Sequence, residues 1–447
     1  MQGVFVPSAS SGASASARSV PSSPWRDRDF RRLWLGQTSS QLGEQTTLVV
    51  LPLVAVLTLD AGAGELGVLR AVGQAPLLLL PLLVGAWVDG WRTRTVMVVT
   101  DACRALMLGA AGLAGLLGLL GLPALLVVAF AAGALAMFFD VSGQASVVRL
   151  LERDRLVAGN SALEGSRSAA QIGGPALGGA LVSLLSAPVA AGSGAVFFAL
   201  SFLSIRRIRR TETIPEHLGR SVRVGRRIHE GLRFVAGDSA LRSVCLASAV
   251  FQFSFAAMMT AYLLFLPREL GLPGAAVGLV LAATGPGALL GAVLAARLPS
   301  RFGHGPVLVS AAALGDGVFL SVPALHGRSA VTVPVLLAVN FLFGAAGQLV
   351  NVTLMAVRQA LTPDGMQGRA AATITCVGMG MAPLGSLLGG FLPVTWGVRG
   401  SVLVTAAGML LSPAVMALSP LARLGRTLPQ GRHAPPTADG SSGRATG

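Results

Sequence analysis

Residues 123–146 read PALLVVAFAAGALAMFFDVSGQAS, and the one charged residue among them is Asp140. A helix needs about 20 mostly apolar residues to cross the hydrocarbon core of a bilayer. Backbone N–H and C=O groups find no water there, so a long apolar segment in lipid must satisfy them internally as a helix. The stretch therefore predicts a membrane-spanning helix.

Comparable stretches fill the chain from Leu33 to Pro420. The composition agrees, since 53% of the 447 residues are hydrophobic and only 12% are charged. Small residues let helices approach closely in lipid, which accounts for the 57 glycines. We predict an all-α polytopic membrane protein with twelve spans: 33–58, 66–88, 95–119, 123–146, 160–186, 189–205, 241–266, 275–297, 306–325, 331–355, 369–392 and 398–419.

The longest polar gap divides these spans into two sets of six. The predicted organisation is a disordered cytoplasmic tail, a six-helix bundle, a cytoplasmic linker, a second six-helix bundle and a second disordered cytoplasmic tail. These parts cover residues 1–24, 25–205, 206–240, 241–420 and 421–447. The halves also share residues at nearly one offset, which predicts two pseudo-repeats: Pro76 with Pro286, Arg149 with Arg358, Asp154 with Asp364, and Pro175 with Pro383. Duplicated halves around a central site are common in secondary transporters.

The net charge is +15, and every basic residue is an arginine. Most of these arginines fall in the gaps that lie on one side if the chain starts in the cytoplasm, above all in 206–240. Positive loops stay in the cytoplasm, so both ends are predicted to be cytoplasmic and the protein to lie in the plasma membrane. Contact with lipid headgroups accounts for this charge, and no nucleic-acid partner is expected.

Two carboxylates fall near the middle of predicted spans, Glu44 in the first and Asp316 in the ninth. An ionisable group at that depth is costly unless it is functional, paired or neutral. We predict that Glu44, with Asp316 as a second candidate, binds and releases a coupled proton. The alternative for each is a carboxyl group that only bonds neighbouring helices together.

A second set of charges is predicted nearer the cytoplasm. Opposite charges at one depth in a membrane should pair, because unpaired charges there are expensive. The set is either a structural or gating network of ion pairs or a direct proton relay, and pairing of Arg104 or of Arg167 with Asp140 stays open. Its members are Asp101, Arg104, Asp140, Glu164 and Arg167.

The loop Gly85–Arg94 and the segment Gly174–Gly179 carry the two recognisable motifs. With Gly85, Asp89 and Arg94 in place, the loop resembles the Gly-x-x-x-Asp-Arg-x-Gly-Arg-Arg loop of the major facilitator superfamily. Gly90, Arg92 and Thr93 depart from that pattern. The resemblance implies a gating loop, to which we assign Gly85, Asp89, Arg92 and Arg94, and in which Asp89 helps to lock the outward-facing state.

Within Gly174–Gly179, the residues Gly174, Pro175, Gly178 and Gly179 resemble the Gly-Pro-x-x-Gly-Gly signature of antiporters in that superfamily. Ordinary glycine packing is the alternative. The stretches Gly36–Glu44, Asp101–Arg104 and Arg358–Arg369 make residues 26–420 similar to the branch that includes enterobactin and macrolide efflux proteins.

This resemblance implies a monomeric exporter of a small amphipathic or hydrophobic compound, such as a drug, antibiotic or siderophore, driven by proton antiport with alternating access. Uptake by symport and a non-transporting sensor or assembly role are the alternatives. No phosphate-binding loop and no nucleophile elbow occur, so we expect neither an enzyme nor a cofactor. Cys103, Cys245 and Cys376 lack metal-ligand spacing and are predicted to be small buried residues.

Overall fold

The computed structural model describes residues 24–80, 91–151, 155–185, 187–209, 224–327, 329–363 and 366–426. These residues form helices joined by short turns, without β-strands in the described ranges. Nine described segments are long and apolar enough to cross a membrane. One of them, Arg369–Ala417, has 49 residues, which is enough for two passages at about 20 residues each.

The first half of the chain forms six long helices. They are α1 (Arg28–Leu57), α2 (Ala63–Leu79), α3 (Thr93–Leu116), α4 (Leu122–Leu150), α5 (Leu156–Leu184) and α6 (Ala187–Arg206).

The second half is more divided. It consists of α7 (Val224–Gly237), α8 (Ser239–Arg268), α9 (Gly274–Ala282), α10 (Thr284–Ala295), α11 (Leu298–Phe302), α12 (His304–Gly317), α13 (Thr332–Leu361), α14 (Gln367–Gly380), α15 (Ala382–Met409) and α16 (Leu411–Ala417), with 3₁₀ turns at Val318–Ala324 and Pro420–Arg423.

Both α1 and α8 begin at an aspartate. The Asp27 carboxylate accepts hydrogen bonds from the backbone N–H groups of Asp29 and Phe30, at 2.8 and 3.4 Å. The Asp238 carboxylate accepts from those of Ala240 and Leu241, at 2.9 Å each. Such side chains satisfy N–H groups that the first helical turn leaves open. The same cap therefore starts the first long helix of each half.

The structure departs from the predicted elements in the second half. The helix α7 occupies part of the predicted linker 206–240. The predicted span 275–297 is broken at Ala283, where α9 ends and α10 begins. The break predicted between 392 and 398, by contrast, is confirmed, because the helix is interrupted within α15 at Gly397, whose φ of 70° is favourable for glycine. Cys103 and Cys376 are exposed rather than buried, so that prediction was wrong.

Several predicted features lie outside the described residues. They are Gly85 and Asp89 of the gating loop, residues 1–23 and 427–447 of the two tails, and 210–223 of the linker.

The two ends of the bundle are packed differently. We call the end where α1 and α8 begin the linker end. There, one buried cluster around Phe30, Met97 and Phe139 contains residues of the first half alone. A second cluster, around Val244 and Leu308, contains residues of α7 and the second half alone.

At the opposite end one apolar cluster crosses between the halves. It joins Val49, Leu53 and Leu66 of the first half to a large group from the second half that includes Tyr262 and Phe265. Burial of apolar side chains is worth about 25 cal/mol per Å² removed from water, and in lipid the close packing itself supplies the contact energy. Within the described chain, the halves are therefore packed together at the opposite end and packed separately at the linker end.

Glycines make the closest contacts between the halves. A β-carbon built on Gly67 would lie 2.7 Å from the Cα of Gly390, and one built on Gly278 would lie 2.7 Å from the Cα of Gly179. Gly67 and Gly278 are separated by the same number of residues as Gly179 and Gly390. The contact of α2 with α15 thus has a counterpart in the contact of α9 with α5.

Candidate functional site

A cavity of about 600 Å³ opens in the first half of the chain, among α1, α4 and α5. Its walls are largely polar, with Gln37 and Gln41 from α1, Asp140 from α4, and Glu164 and Arg167 from α5. Three members of the predicted inner charge cluster therefore share one cavity. Glu164 is exposed on its wall, which leaves it open to solvent or a ligand.

Asp140 pairs with Arg167 across this cavity. The Arg167 Nη2 atom lies 3.7 Å from the Asp140 Oδ2 atom, and the two side chains keep 42% and 31% of their surface exposed. Partial exposure weakens such a pair and leaves both groups accessible to protons and water. Of the two partners that the sequence left open for Asp140, the structure places Arg167 in contact with it.

Asp101 and Arg104 form the other pair, and it is fully buried. The Arg104 Nη1 atom lies 3.6 Å from the Asp101 Oδ1 atom, with 1% and 0% of these side chains exposed. The Ser40 hydroxyl joins both, donating to Asp101 at 2.9 Å and accepting from Arg104 at 3.2 Å. Through the Ser40 hydroxyl, this pair connects α3 with α1.

Two phenyl rings flank the Arg104 guanidinium. Its central carbon lies 5.4 Å from the ring centroid of Phe139 and 5.1 Å from that of Phe198. Aromatic faces attract a cation, most strongly where water is excluded. The position of Arg104 is therefore set by four side chains from four helices: Asp101 on α3, Ser40 on α1, Phe139 on α4 and Phe198 on α6.

Glu44 lies on the side of α1 that faces this polar region. Residues at i, i+4 and i+7 share one face of a helix, so Glu44 lies on the same face of α1 as Gln37 and Gln41, which line the cavity. Its side chain interacts electrostatically with Asp140, Arg104, Arg167 and Asp101. The sequence placed Glu44 and the inner cluster at separate depths, whereas in the structure the charges of four cluster members act on Glu44. We call Glu44 and these four residues the charged site.

Asp316 lies in a second cavity, of about 330 Å³, within the second half. Polar groups on its wall include Gln252, Asn351 and Arg358. Asp316 is 4% exposed and, within the described chain, its carboxylate has no hydrogen bond or ion pair. The structure thus gives Asp316 no connection with Glu44 and leaves it as a separate buried acid.

The antiporter-like motif connects the charged site with the contact between the halves. A β-carbon on Gly174 would lie 3.1 Å from the carbonyl carbon of Gln45, and one on Gly178 would lie 3.0 Å from the carbonyl oxygen of Thr46. Both glycines therefore pack against α1 directly after Glu44. Gly179 faces the other way, onto Gly278 of the second half. Pro175 stands inside α5 between these contacts.

Arg92 and Arg94 are the described members of the predicted gating loop. The Arg94 Nη2 atom donates to the carbonyl oxygen of Arg206 at 2.6 Å, at the last residue of α6. A cation is favourable at a helix C-terminus, where carbonyl groups lack partners. Arg92 is exposed at the start of α3. Neither arginine contacts the charged site.

Sequence reasoning missed Arg70 on α2 and a column of aromatic rings in the second half. Arg70 is an arginine inside a predicted span, and that alone was a sufficient signal. The sequence did not reveal the aromatic column, because its rings come from segments that are far apart in sequence. Its rings follow one another with centroid separations of 5.5, 5.5, 5.1 and 5.6 Å, in the order Phe251, Phe255, Phe343, Phe319 and Tyr262.

Two asparagines of α13 have different roles: one bonds helices together and the other lines a cavity. Asn340 donates to the Tyr262 hydroxyl at 2.9 Å and so bonds α13 to α8. Asn351 lines the Asp316 cavity. One helix therefore carries both a packing asparagine and a cavity-lining asparagine.

Known proteins resemble this chain over most of its length. The family model described as transmembrane secretion effector matches residues 19–438. The multidrug efflux pump Tap of Mycolicibacterium fortuitum is 27% identical over 398 residues, covering 85% of this chain and 93% of that protein. Tap of Mycobacterium tuberculosis is 27% identical over 384 residues, covering 81% and 87%.

Solved transporter structures share the fold. A bacterial homologue of the iron transporter ferroportin, in an inward-facing state, aligns with a TM-score of 0.70 at 19% identity, covering 87% of this chain and 98% of that one. The nucleoside transporter NupG aligns with a TM-score of 0.71 at 13% identity, covering 87% and 98%.

Proposed function

The chain belongs to the transmembrane secretion effector family of the major facilitator superfamily, and from this premise we propose that it exports small amphipathic or hydrophobic organic compounds by proton antiport. Membership of this family confirms the resemblance to major facilitator exporters that was found in the sequence. It makes the protein a multi-span membrane transporter, and the Tap pumps that resemble it are multidrug efflux pumps by name.

The observation that carries proton coupling is the position of Glu44. It lies on the face of α1 that carries the cavity-lining Gln37 and Gln41, and the charges of two acids and two arginines act on it. The neighbouring Asp140–Arg167 pair is partly exposed, which gives protons a route from the cavity. A carboxyl group surrounded in this way changes charge within a site that can also bind a substrate.

In the proposed transport cycle, twelve spans form two six-helix pseudo-repeats that rock against each other. Residues 25–205 and 241–420 form the two halves, and the linker end is cytoplasmic. The described conformation then faces inward, because an apolar cluster joins the halves at the opposite end, whereas the clusters at the linker end each stay within one half. The matched glycine contacts of α2 with α15 and of α9 with α5 support the pseudo-repeat.

The test is transport in proteoliposomes under an imposed pH gradient, with N-phenyl-1-naphthylamine as a neutral, hydrophobic fluorescent probe. Gradient-driven transport is compared among the wild type, Glu44→Gln and Asp316→Asn. A glutamine keeps hydrogen-bonding capacity but cannot titrate, so Glu44→Gln should abolish gradient-driven transport while probe exchange continues.

The matched control is Glu65→Gln. Glu65 is an exposed acid of α2 that accepts from the Gly62 N–H at 2.7 Å, and a glutamine there retains that cap. Wild-type transport by Glu44→Gln would overturn the assignment of the proton site. If only Asp316→Asn were uncoupled, the proton site would be the cavity of the second half. Wild-type transport at a rate that did not depend on the pH gradient would contradict proton antiport.

A further inference from the structure

Arg70 lies on the face of α2 that is turned toward the second half. Gly67, one turn before it, contacts Gly390, and the Gln74 Nε2 atom, one turn after it, donates to the Ser386 hydroxyl at 3.3 Å. Residues at i−3, i and i+4 share a helix face, so Arg70 stands between two contacts with α15. Val68, on another side of the helix, is 40% exposed. Arg70 therefore faces the second half and not the lipid.

No counter-charge accompanies this arginine in the described chain. Its Nε atom is buried without a hydrogen-bond partner, and none of its guanidinium nitrogens makes an ion pair or hydrogen bond there. The Gln74 Oε1 atom, one turn away, is likewise buried without a partner. A guanidinium is always charged, and leaving it without a partner away from water is costly.

The second half contributes aromatic rings. Phe251, Phe255 and Phe343 of the aromatic column are partly exposed, and Phe251 also lines the Asp316 cavity. Stacked phenyl rings bind flat apolar molecules through their large contact area. A cation on one half and rings on the other suit a molecule with an aromatic body and an anionic group.

We infer that Arg70 is a substrate anchor, which makes amphipathic anions bearing a carboxylate or sulfonate on an aromatic body the preferred cargo. The guanidinium donates two parallel hydrogen bonds to such a group, and Gln74 accepts from a neighbouring N–H or O–H. This inference rests on the proposed function, since it names the substrate class of the proposed exporter.

Two naphthalene probes that differ in one group provide the test. They are 8-anilino-1-naphthalenesulfonate and N-phenyl-1-naphthylamine, which share the ring system and the N–H but differ in the sulfonate. Binding to the full-length protein in phosphatidylcholine nanodiscs is measured by fluorescence, with empty nanodiscs as the blank. The variants are Arg70→Gln, Arg70→Lys and, as the matched control, Arg297→Gln, which changes an exposed arginine after α10.

The wild type should bind the sulfonate more tightly than the neutral probe. Arg70→Gln should weaken binding of the sulfonate about tenfold or more and change the affinity for the neutral probe less than about twofold, because the loss is that of a charge-assisted hydrogen bond. Arg70→Lys should retain part of the preference, and Arg297→Gln all of it. Unchanged affinity for the neutral probe also shows that the variant is folded.

Equal effects of Arg70→Gln on both probes, or no effect on either, would overturn the anchor while leaving the proposed export function intact. A wild type that bound neither probe would contradict the proposed substrate class, and with it the anchor.

Discussion

Gly67 of α2 and Gly390 of α15 bring their backbones into direct contact, since a β-carbon on either would lie 2.7 Å from the Cα of the other. Real β-carbons essentially never approach another heavy atom within 3.0 Å. The contact therefore exists only because both residues are glycines. Gly179 and Gly278 repeat it between α5 and α9. The halves thus meet through backbone atoms at two related points.

We expect Gly67→Leu to keep the two halves apart at the opposite end. The added side chain meets the backbone of α15, which cannot move away as a flexible side chain can. Transport should slow markedly, and a cysteine pair placed across this contact should cross-link more slowly than in a wild-type background. Gly64→Leu is the matched control, because a β-carbon on Gly64 meets nothing within 4 Å. Equal transport by the two variants would show that this contact does not limit the cycle.

Arg104→Ala should lower stability more than Arg167→Ala does. Removing Arg104 leaves Asp101 charged at 0% exposure, a loss of about 3–5 kcal/mol for a broken buried pair. Breaking the half-exposed Asp140–Arg167 pair should lower the free energy of unfolding by only about 0–1 kcal/mol. Thermal unfolding in detergent measures both. The Asp101→Ala/Arg104→Ala double variant should lose less than the sum of the single variants, whereas strict additivity would show that the pair does not interact.

A cysteine at Ser239 should be protected from an impermeant thiol reagent in intact cells, and one at Ser329 should react. Ser239 starts α8 at the linker end and Ser329 precedes α13, and both are exposed. The background must lack Cys103, Cys245 and Cys376, two of which are exposed. The reverse labelling pattern would invert the proposed orientation.

Replacing Gly231 by leucine should detach α7 from α14. A β-carbon on Gly231 would lie 3.2 Å from the Arg369 carbonyl oxygen, and the Glu230 Oε2 atom accepts from the Arg369 Nη1 atom at 2.9 Å beside it. Trypsin should then cleave faster at the exposed Arg233. Gly237→Leu is the control, since a β-carbon there meets nothing within 4 Å. Unchanged proteolysis of Gly231→Leu would mean that α7 stays docked.

Hydropathy located the long helices because a bilayer imposes one length and one composition on each of them. It did not reveal α7, whose apolar face packs on the second half through Val235 and whose polar face is too charged for a span.

The residue types of the candidate site were predictable from the sequence, but the ion pair between helices was not. An acid inside an apolar stretch marked Glu44, Asp140 and Asp316 without any structure. Asp101 and Arg104 lie three residues apart on α3, so their pairing follows from helix periodicity. The choice of Arg167 for Asp140 depends on how α4 and α5 are rotated about their axes, and the charges do not encode that rotation. Contacts between distant helices, such as the aromatic column, depend on it equally.

The seal between Gly67 and Gly390 has a pharmacological consequence. The two glycine backbones leave no groove between them when they are in contact. A thin rigid molecule bound between them would therefore hold α2 and α15 apart. In the orientation and transport direction proposed above, such an inhibitor would approach from outside the cell and would not compete with cargo arriving from the cytoplasm. Resistance by enlarging either glycine would itself damage the seal, which leaves the pump few escape mutations at this point.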